Sequence, residues 1–409
     1  MKILFINEYF TENIKTGANI IAFNSYYQAL QNNNECYFYS NDESPFLEEQ
    51  EINSLLPKSH INKKGIFNRL LYRINSIYNF SAQRNLEKVL LKIRPDIVHI
   101  HAIMELSFSV ILALKKHNIP YVITVHDAGF VCPVMGTKVQ QCTLCSQNID
   151  NCIKHKCSRD NVFCSVYVAL KFAIWKAIIK LYPPQKLITP SIALKNYLES
   201  SKYTNNVQVT CVPNSLDKEF LNIKPNYQNK GYFLFVGNLL DVKGVDILLE
   251  AIRQLPKDIK FRIVGVGLQH EKYEKFIAEN SLENVMLCGK KNRKELIEEY
   301  QNCIALITPS NLFEVFGMTN IESFINGKPV IASNIGGIPE IVEDNVNGLL
   351  FEPANVEQLK ECILKYWNNP DLVIEHGKNG YQKAITQYTK ERYYKELINI
   401  YQEVLGGTA

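Results

Sequence analysis

Short apolar runs of four or five residues recur along the chain, separated by stretches in which apolar positions follow a helical spacing. Alternation of this kind is the signature of βαβ units and parallel sheets. In the first half it predicts strands over 2–7, 96–100, 121–125 and 186–189. In the second half it predicts strands over 232–236, 260–264, 285–288, 304–308 and 329–332. Helices are expected between them, including 243–254, 293–302 and 318–326. The segment 211–231 carries Pro213, Pro225 and several Asn and reads as a linker, after which the α/β pattern restarts. The fold class is therefore α/β, with two Rossmann-like domains over 1–212 and 213–388 whose parallel sheets face each other across a cleft. The remainder, 389–409, has helical spacing over 390–405 and is expected to pack back on the first domain.

A chain of 409 residues is too long for one ordinary core and suits two such domains. Lys and Arg number 45 against 41 Asp and Glu, an excess too small to argue for nucleic acid as a partner. The start, MKILFINEYF, meets Glu8 before any long apolar region develops, so it reads as a first buried strand and not a signal peptide. The stretch nearest to a membrane span, 162–182, is broken by Lys171, Lys176 and Lys180. The 11 cysteines are odd in number and follow no secretory signal, which favours reduced thiols in a cytoplasm.

Candidate chemistry concentrates in 309–330, PSNLFEVFGMTNIESFINGKPV. Gly317 precedes a helical pattern that opens near Met318, and a helix start aims free backbone N–H groups at an anion. Gly317, Met318 and Thr319 can thus hold a phosphate. Glu314 and Glu322 flank them, and carboxylates beside a phosphate site make sense as acceptors for sugar hydroxyls. One would hold a transferred sugar and the other a ribose. The alternative is a solvated loop with ordinary surface glutamates. The whole string resembles the E-x7-E motif of the large retaining glycosyltransferase family GT4, of GT-B fold, through Glu314, Phe316, Gly317, Glu322, Gly327, Pro329 and Val330. The segment 336–353, GGIPEIVEDNVNGLLFEP, is similar to the stretch just downstream of that motif in the family.

The resemblance extends to weaker positions. Gly237 to Gly244, GNLLDVKG, matches a diphosphate-binding turn through Lys243 but has Asn238 where the family carries Arg. Asn cannot fork onto a phosphate, so the grip would rest on Lys243 and backbone N–H groups. Gly265 resembles the loop beneath the nucleotide, Lys290 the region near the base, and Gly17 one member of a phosphate-facing Gly pair. His126-Asp127 ends a predicted strand, where the family places a His near the transferred sugar; Asp127 would orient the ring. His99 and His101 read as sheet residues, with His101 nearer the cleft. The resemblance thus implies His126, Lys243 and Glu314 as catalytic residues. It implies a donor site of Gly17, Asn238, Lys243, Gly265, Lys290, Glu314, Phe316, Gly317, Met318, Thr319 and Glu322. No Asp-x-Asp tripeptide is present, so no active-site metal and no catalytic cofactor are expected.

The implied reaction moves a hexose-type sugar, with retention, from a UDP- or GDP-sugar bound by the second domain to a saccharide or lipid-linked saccharide on the side of the first domain, in cell-surface polysaccharide synthesis. Asn238 and the lone Gly17 keep open a weakly active or inactive sugar-nucleotide-binding partner of an assembly complex. Cysteines cluster within 132–164, where Cys142, Cys145, Cys152 and Cys157 have spacings that suit a structural zinc or belong to a loop of free thiols. Similar Cys-rich inserts occur in some members of the family. Finally, 162–182 and 58–80 mix apolar or aromatic residues with Lys and Arg. Each is either ordinary packing or an interfacial helix that would hold the protein at the inner face of a membrane.

Overall fold

The computed structural model describes residues 1–8, 17–40, 66–103, 106–134, 148–216, 220 and 223–406, with side chains from residue 71 onward in the segment that begins at 66. Six parallel strands form a first sheet in the order β2-β1-β3-β4-β5-β6. They are β1 Lys2–Ile6, β2 Glu35–Tyr39, β3 Ile97–Ile100, β4 Tyr121–Thr124, β5 Lys186–Thr189 and β6 Val209–Cys211. Six more parallel strands form a second sheet in the order β12-β11-β10-β7-β8-β9. These are β7 Tyr232–Val236, β8 Lys260–Val264, β9 Val285–Gly289, β10 Leu306–Thr308, β11 Val330–Ser333 and β12 Gly348–Phe351. The fold is the expected pair of Rossmann-like domains. Helices cover both faces of each sheet, which is why runs such as Phe233 to Phe235 are apolar without alternation and buried.

Three strands escaped the apolar pattern. β2 and β6 lie at the edges of the first sheet and contain partly exposed positions, and β12 is an edge strand that begins at Gly348. The predicted helix over 243–254 is divided in two: a 3-10 turn Asp241–Lys243 and a helix Val245–Ile252. Gly244 separates them in the left-handed conformation (φ 68°), where a side chain would collide with the Pro309 carbonyl.

The last helix, Lys390–Val404, leaves the second domain and packs on the first. Tyr393, Leu397, Ile400 and Tyr401 join Ile3, Phe5, Ile21, Val122 and Ile188 in one buried cluster. Tyr393 Oη lies 2.8 Å from Ser25 Oγ, and Lys186 on β5 pairs with Glu403. The domains also touch beside the cleft. Glu340 accepts hydrogen bonds from the Ile192 and Ala193 amides (2.8 and 2.7 Å) and so caps the helix Ile192–Glu199. Ser191 Oγ donates to the Val315 carbonyl at 2.6 Å.

Among the described residues, one helix, Val162–Leu181, is long and apolar enough to cross a membrane, and 33% of its most apolar window is buried inside the protein.

Candidate active site

In the second sheet the strand order reverses between β7 and β10, and such a switch point opens a crevice at the carboxyl ends of the strands. A cleft of about 860 Å³ lies there and is closed from the other side by the first domain. Gly17, His126, Asn238, Lys243, Gly265, Lys290, Glu314, Phe316, Gly317, Met318, Thr319 and Glu322 all line it.

Each wall follows from local sequence. Gly265 follows β8 with φ 147°, and a Cβ there would sit 1.8 Å from the Gly237 carbonyl oxygen, so two loops touch backbone to backbone under the cleft. Gly317 caps the helix Met318–Ile325 in a left-handed conformation (φ 97°) and turns its first amides toward the cavity. Behind them Asn320 is fully buried, and its Oδ1 accepts from Thr308 Oγ1 (3.0 Å) while its Nδ2 has no partner among the described residues. Phe316 is a packing residue that meets Tyr388 edge to face at 5.9 Å, so only part of it faces the cavity.

The two carboxylates sit in different settings. Lys243 Nζ donates to Glu314 Oε2 at 2.6 Å, and Ser310 Oγ donates to the same oxygen at 3.3 Å. Both members of this ion pair are partly open to the cleft, so either can exchange its partner for a ligand. Glu322 is only 8% exposed. Its Oε1 accepts from Arg293 Nη1 (3.2 Å) and its Oε2 from Tyr300 Oη (2.9 Å). Arg293 also lies over the Phe220 ring at 4.8 Å and lines the cleft. Burial and the neighbouring Glu322 carboxylate hold the Tyr300 hydroxyl well above its usual range. Thus Tyr300 stays a donor to Glu322.

Across the cleft His126 follows β4. Its Nε2 is 3.0 Å from His101 Nδ1, and the rings stack at 5.2 Å. His101 in turn lies over His99, whose ring nitrogens meet Thr124 Oγ1 (2.7 Å) and Tyr401 Oη (2.6 Å). Burial pushes the His126 imidazole down to about 4 and, with the His126 charge, His99 down to about 3. Burial and the neighbouring rings hold His101 well below the imidazole range. The expectation that Asp127 orients His126 is corrected here: Asp127 accepts from the Gly129 amide at 2.6 Å as a cap on the turn Ala128–Phe130. The partner of the His126 ring is His101.

Sequence reasoning missed Arg293, Tyr300, Asn320 and the pairing role of His101. Arg293 heads the helix Arg293–Asn302 behind the Asn292 cap, a spot that reads as ordinary surface. Of the proposed zinc ligands, Cys142 and Cys145 lie outside the described residues, as do 58–65 of the basic segment. Cys152 is buried, and the Cys157 amide donates to its carbonyl at 3.0 Å, so the two cysteines share one turn. Among the described residues no group of three or more metal-binding side chains is assembled.

Two Rossmann-like domains closing on a cleft of this make-up define a protein of GT-B fold. The chain belongs to the GT4-type glycosyltransferases: residues 25–220 match the sequence model for glycosyltransferase family 4, and residues 217–383 match that for glycosyl transferases group 1. It is similar to the uncharacterized glycosyltransferase MJ1178 of Methanocaldococcus jannaschii, 35% identical over 219 residues, 54% of this chain and 60% of that protein. It is also similar to the O-antigen chain mannosyltransferase C of Escherichia coli, 27% identical over 56% of this chain and 66% of that protein. The chain therefore spans less than two thirds of the length of these relatives. In structure it superposes on sucrose-phosphate synthase from Thermosynechococcus elongatus with TM-score 0.73 and 17% identity, covering 99% of each chain. It superposes on Anabaena HepE in complex with UDP-glucose with TM-score 0.70 and 16% identity, covering 98% of this chain and 100% of that one.

Proposed function

We propose that the chain transfers a hexose-type sugar, with retention of configuration, from a UDP- or GDP-sugar to a saccharide or lipid-linked saccharide in cell-surface polysaccharide synthesis. The observation that carries this reading is one cleft holding the Gly317 helix start, the Lys243–Glu314 pair and the Arg293–Glu322 pair, faced by His126. The helix start and Lys243 would hold the diphosphate, Glu322 the ribose, and Glu314 and His126 the sugar. HepE, a fold neighbour, binds UDP-glucose, which supports a donor of this class. Asn238 leaves the site without the family's usual arginine, and Arg293 lines the same cleft.

The step we infer is front-face displacement. The bond between the anomeric carbon and the leaving phosphate oxygen breaks, the acceptor oxygen bonds to that carbon on the same face, and the acceptor proton passes to the phosphate. Lys243 and the helix start would stabilise the charge that grows on the phosphate. No catalytic cofactor enters this scheme. A structural zinc on Cys142, Cys145, Cys152 and Cys157, a cytoplasmic location and contact with an anionic membrane belong to the same reading. Exposed Phe163, Leu170, Ile74 and Phe80 support the last.

Lys243→Ala and Glu322→Ala test the proposal in a transfer assay with UDP- and GDP-sugars. Each should lower turnover by about 10²-fold or more, as removal of a preorganised charge contact does. Near-normal turnover in both variants refutes the site.

A further inference from the structure

Glu314 belongs to the second domain, but its neighbours in the chain are held by the first. Phe313 and Val315 both pack against the buried cluster of the first domain. The Phe313 ring meets that of Tyr197, on the helix Ile192–Glu199, at 5.7 Å. The Val315 carbonyl accepts from Ser191 Oγ at 2.6 Å. Between these two anchors Glu314 lines the cleft, where its carboxylate meets Lys243 and Ser310. Successive residues of one short segment thus answer to different domains.

The opposite side of the segment is closed as well. The Gly337 amide donates to the Glu314 carbonyl at 2.8 Å. A Cβ at Gly336 would lie 2.2 Å from that carbonyl oxygen. One at Gly337 would lie 2.5 Å from the Val315 oxygen and 2.9 Å from Ser191 Cβ. Packing this close leaves no slack between the Gly336–Gly337 turn, the segment and the first domain. Glu340, three residues past Gly337, completes the fastening. It accepts from the Ile192 and Ala193 amides, at the start of the same helix that carries Tyr197. Val315 lines the cleft, whereas neither Tyr197 nor Glu340 is among its described lining residues.

A group that holds a ligand for reaction must stand within about 0.5 Å of its productive place. We propose that Tyr197 and Glu340 are positioning residues for Glu314. The contact between the helix Ile192–Glu199 and the segment around Glu314 sets where the carboxylate stands. The grip on the sugar then depends on the first domain through groups that touch no ligand. The inference rests on the sugar role given to Glu314 above, while the docking of the segment is tested apart from it.

Tyr197→Ala loosens the segment from the first-domain side and Glu340→Ala from the Gly337 side. Calorimetric titration compares UDP with UDP-glucose, and GDP with GDP-mannose, on each variant. For the pair that the wild type binds, Kd of the nucleotide sugar should rise at least about fivefold, the worth of one hydrogen bond. Kd of the bare nucleotide should not rise, because Lys243 loses a competing carboxylate. In a Glu314→Gln background neither substitution should weaken the nucleotide sugar further, since the group they act through is gone. Equal weakening of nucleotide and nucleotide sugar, no weakening of either, or effects that add to that of Glu314→Gln overturn the proposal. Hydrogen exchange reads the docking without any ligand. Protection of the Gly337 amide, whose acceptor is the Glu314 carbonyl, should fall at least about fivefold in both variants. Unchanged protection overturns the proposal too. If the wild type binds neither pair, the donor-site reading falls, and exchange at Gly337 alone decides whether the first domain sets the place of Glu314.

Discussion

Glu322→Gln separates a structural carboxylate from a ligand-binding one. In the free protein the side chain holds Arg293 and Tyr300, at 3.2 and 2.9 Å. Breaking a fully buried ion pair from one side is worth about 3–5 kcal/mol. This pair should fall short of that. Arg293 keeps 17% of its side chain exposed and lies over Phe220, so its charge finds water and a ring face. Gln also leaves a neutral acceptor for Tyr300. What is lost is the charge assistance of the hydrogen bonds, about 1.5–3 kcal/mol. At about 2–4 °C per kcal/mol for a domain of this size, the melting temperature should fall by about 3–12 °C. If Glu322 also accepts both hydroxyls of a ribose, the same loss of charge weakens nucleotide binding. At tenfold per 1.4 kcal/mol, Kd for UDP or GDP should rise about 10- to 150-fold. Calorimetric titration of UDP and GDP, beside thermal unfolding of the free protein, reads both effects on one sample. A lowered melting temperature with nucleotide affinity within twofold of wild type would show that Glu322 only braces Arg293, and the ribose role would fall.

The histidine cluster makes a pH prediction. The folded values of His126 and His99 lie near 4 and 3, below the ordinary 6.5, so the unfolded chain takes up protons that the folded chain does not. Stability should be complete above pH 6.5 and fall as pH drops from there toward 4, by up to about 1.4 kcal/mol per pH unit for each ring. His126→Gln should reduce that slope in unfolding curves taken across pH 4–7, and an unchanged slope would contradict the assignment. Gly265→Ala forces a methyl onto the Gly237 carbonyl in a backbone conformation that disfavours side chains, and should destabilise by more than about 3 kcal/mol with loss of UDP binding. Wild-type thermal stability in that variant would mean the two loops part easily. Metal analysis of purified protein should find about one zinc per chain, lowered in Cys152→Ser, if the cysteine-rich segment folds on a metal; protein without stoichiometric zinc ends that proposal.

The parts of the fold legible in the sequence were those whose burial is two-sided. β1 and β7 are apolar throughout or nearly so, β5 and β8 keep an apolar pair at their centre or end beside Lys or Arg, and the spans of all four were readable to within a residue. Of the four edge strands β9 was readable, while β2, β6 and β12 were not: Glu35 and Cys36 in β2 stay at least partly exposed while Phe38 and Tyr39 are buried. In the site, contiguous strings could be read, as in the segment from Glu314 to Glu322. Contacts made by strand register could not. β3 and β4 are neighbours with Ile100 opposite Ile123, so the residues just past their ends, His101 and His126, are brought together although nothing in either local string links them. The same holds for Arg293 and Glu322, which come from different helices. Asp127 shows the converse error, since sequence adjacency to His126 suggested a partnership that the turn after β4 takes away.

The helix Lys390–Val404 makes the first domain discontinuous in sequence. Ile3 and Phe5 leave the ribosome long before the side chains that seal them, Tyr393, Leu397, Ile400 and Tyr401. Domains in nascent chains ordinarily form in order from the N-terminus. Here the first to be synthesised must wait, with an apolar strip uncovered, until the second has been made and the chain has crossed back. A chain cut before residue 390 would thus lose part of the core of the opposite domain, and the second domain, whose sequence is continuous, is the half that can fold while the other is still open.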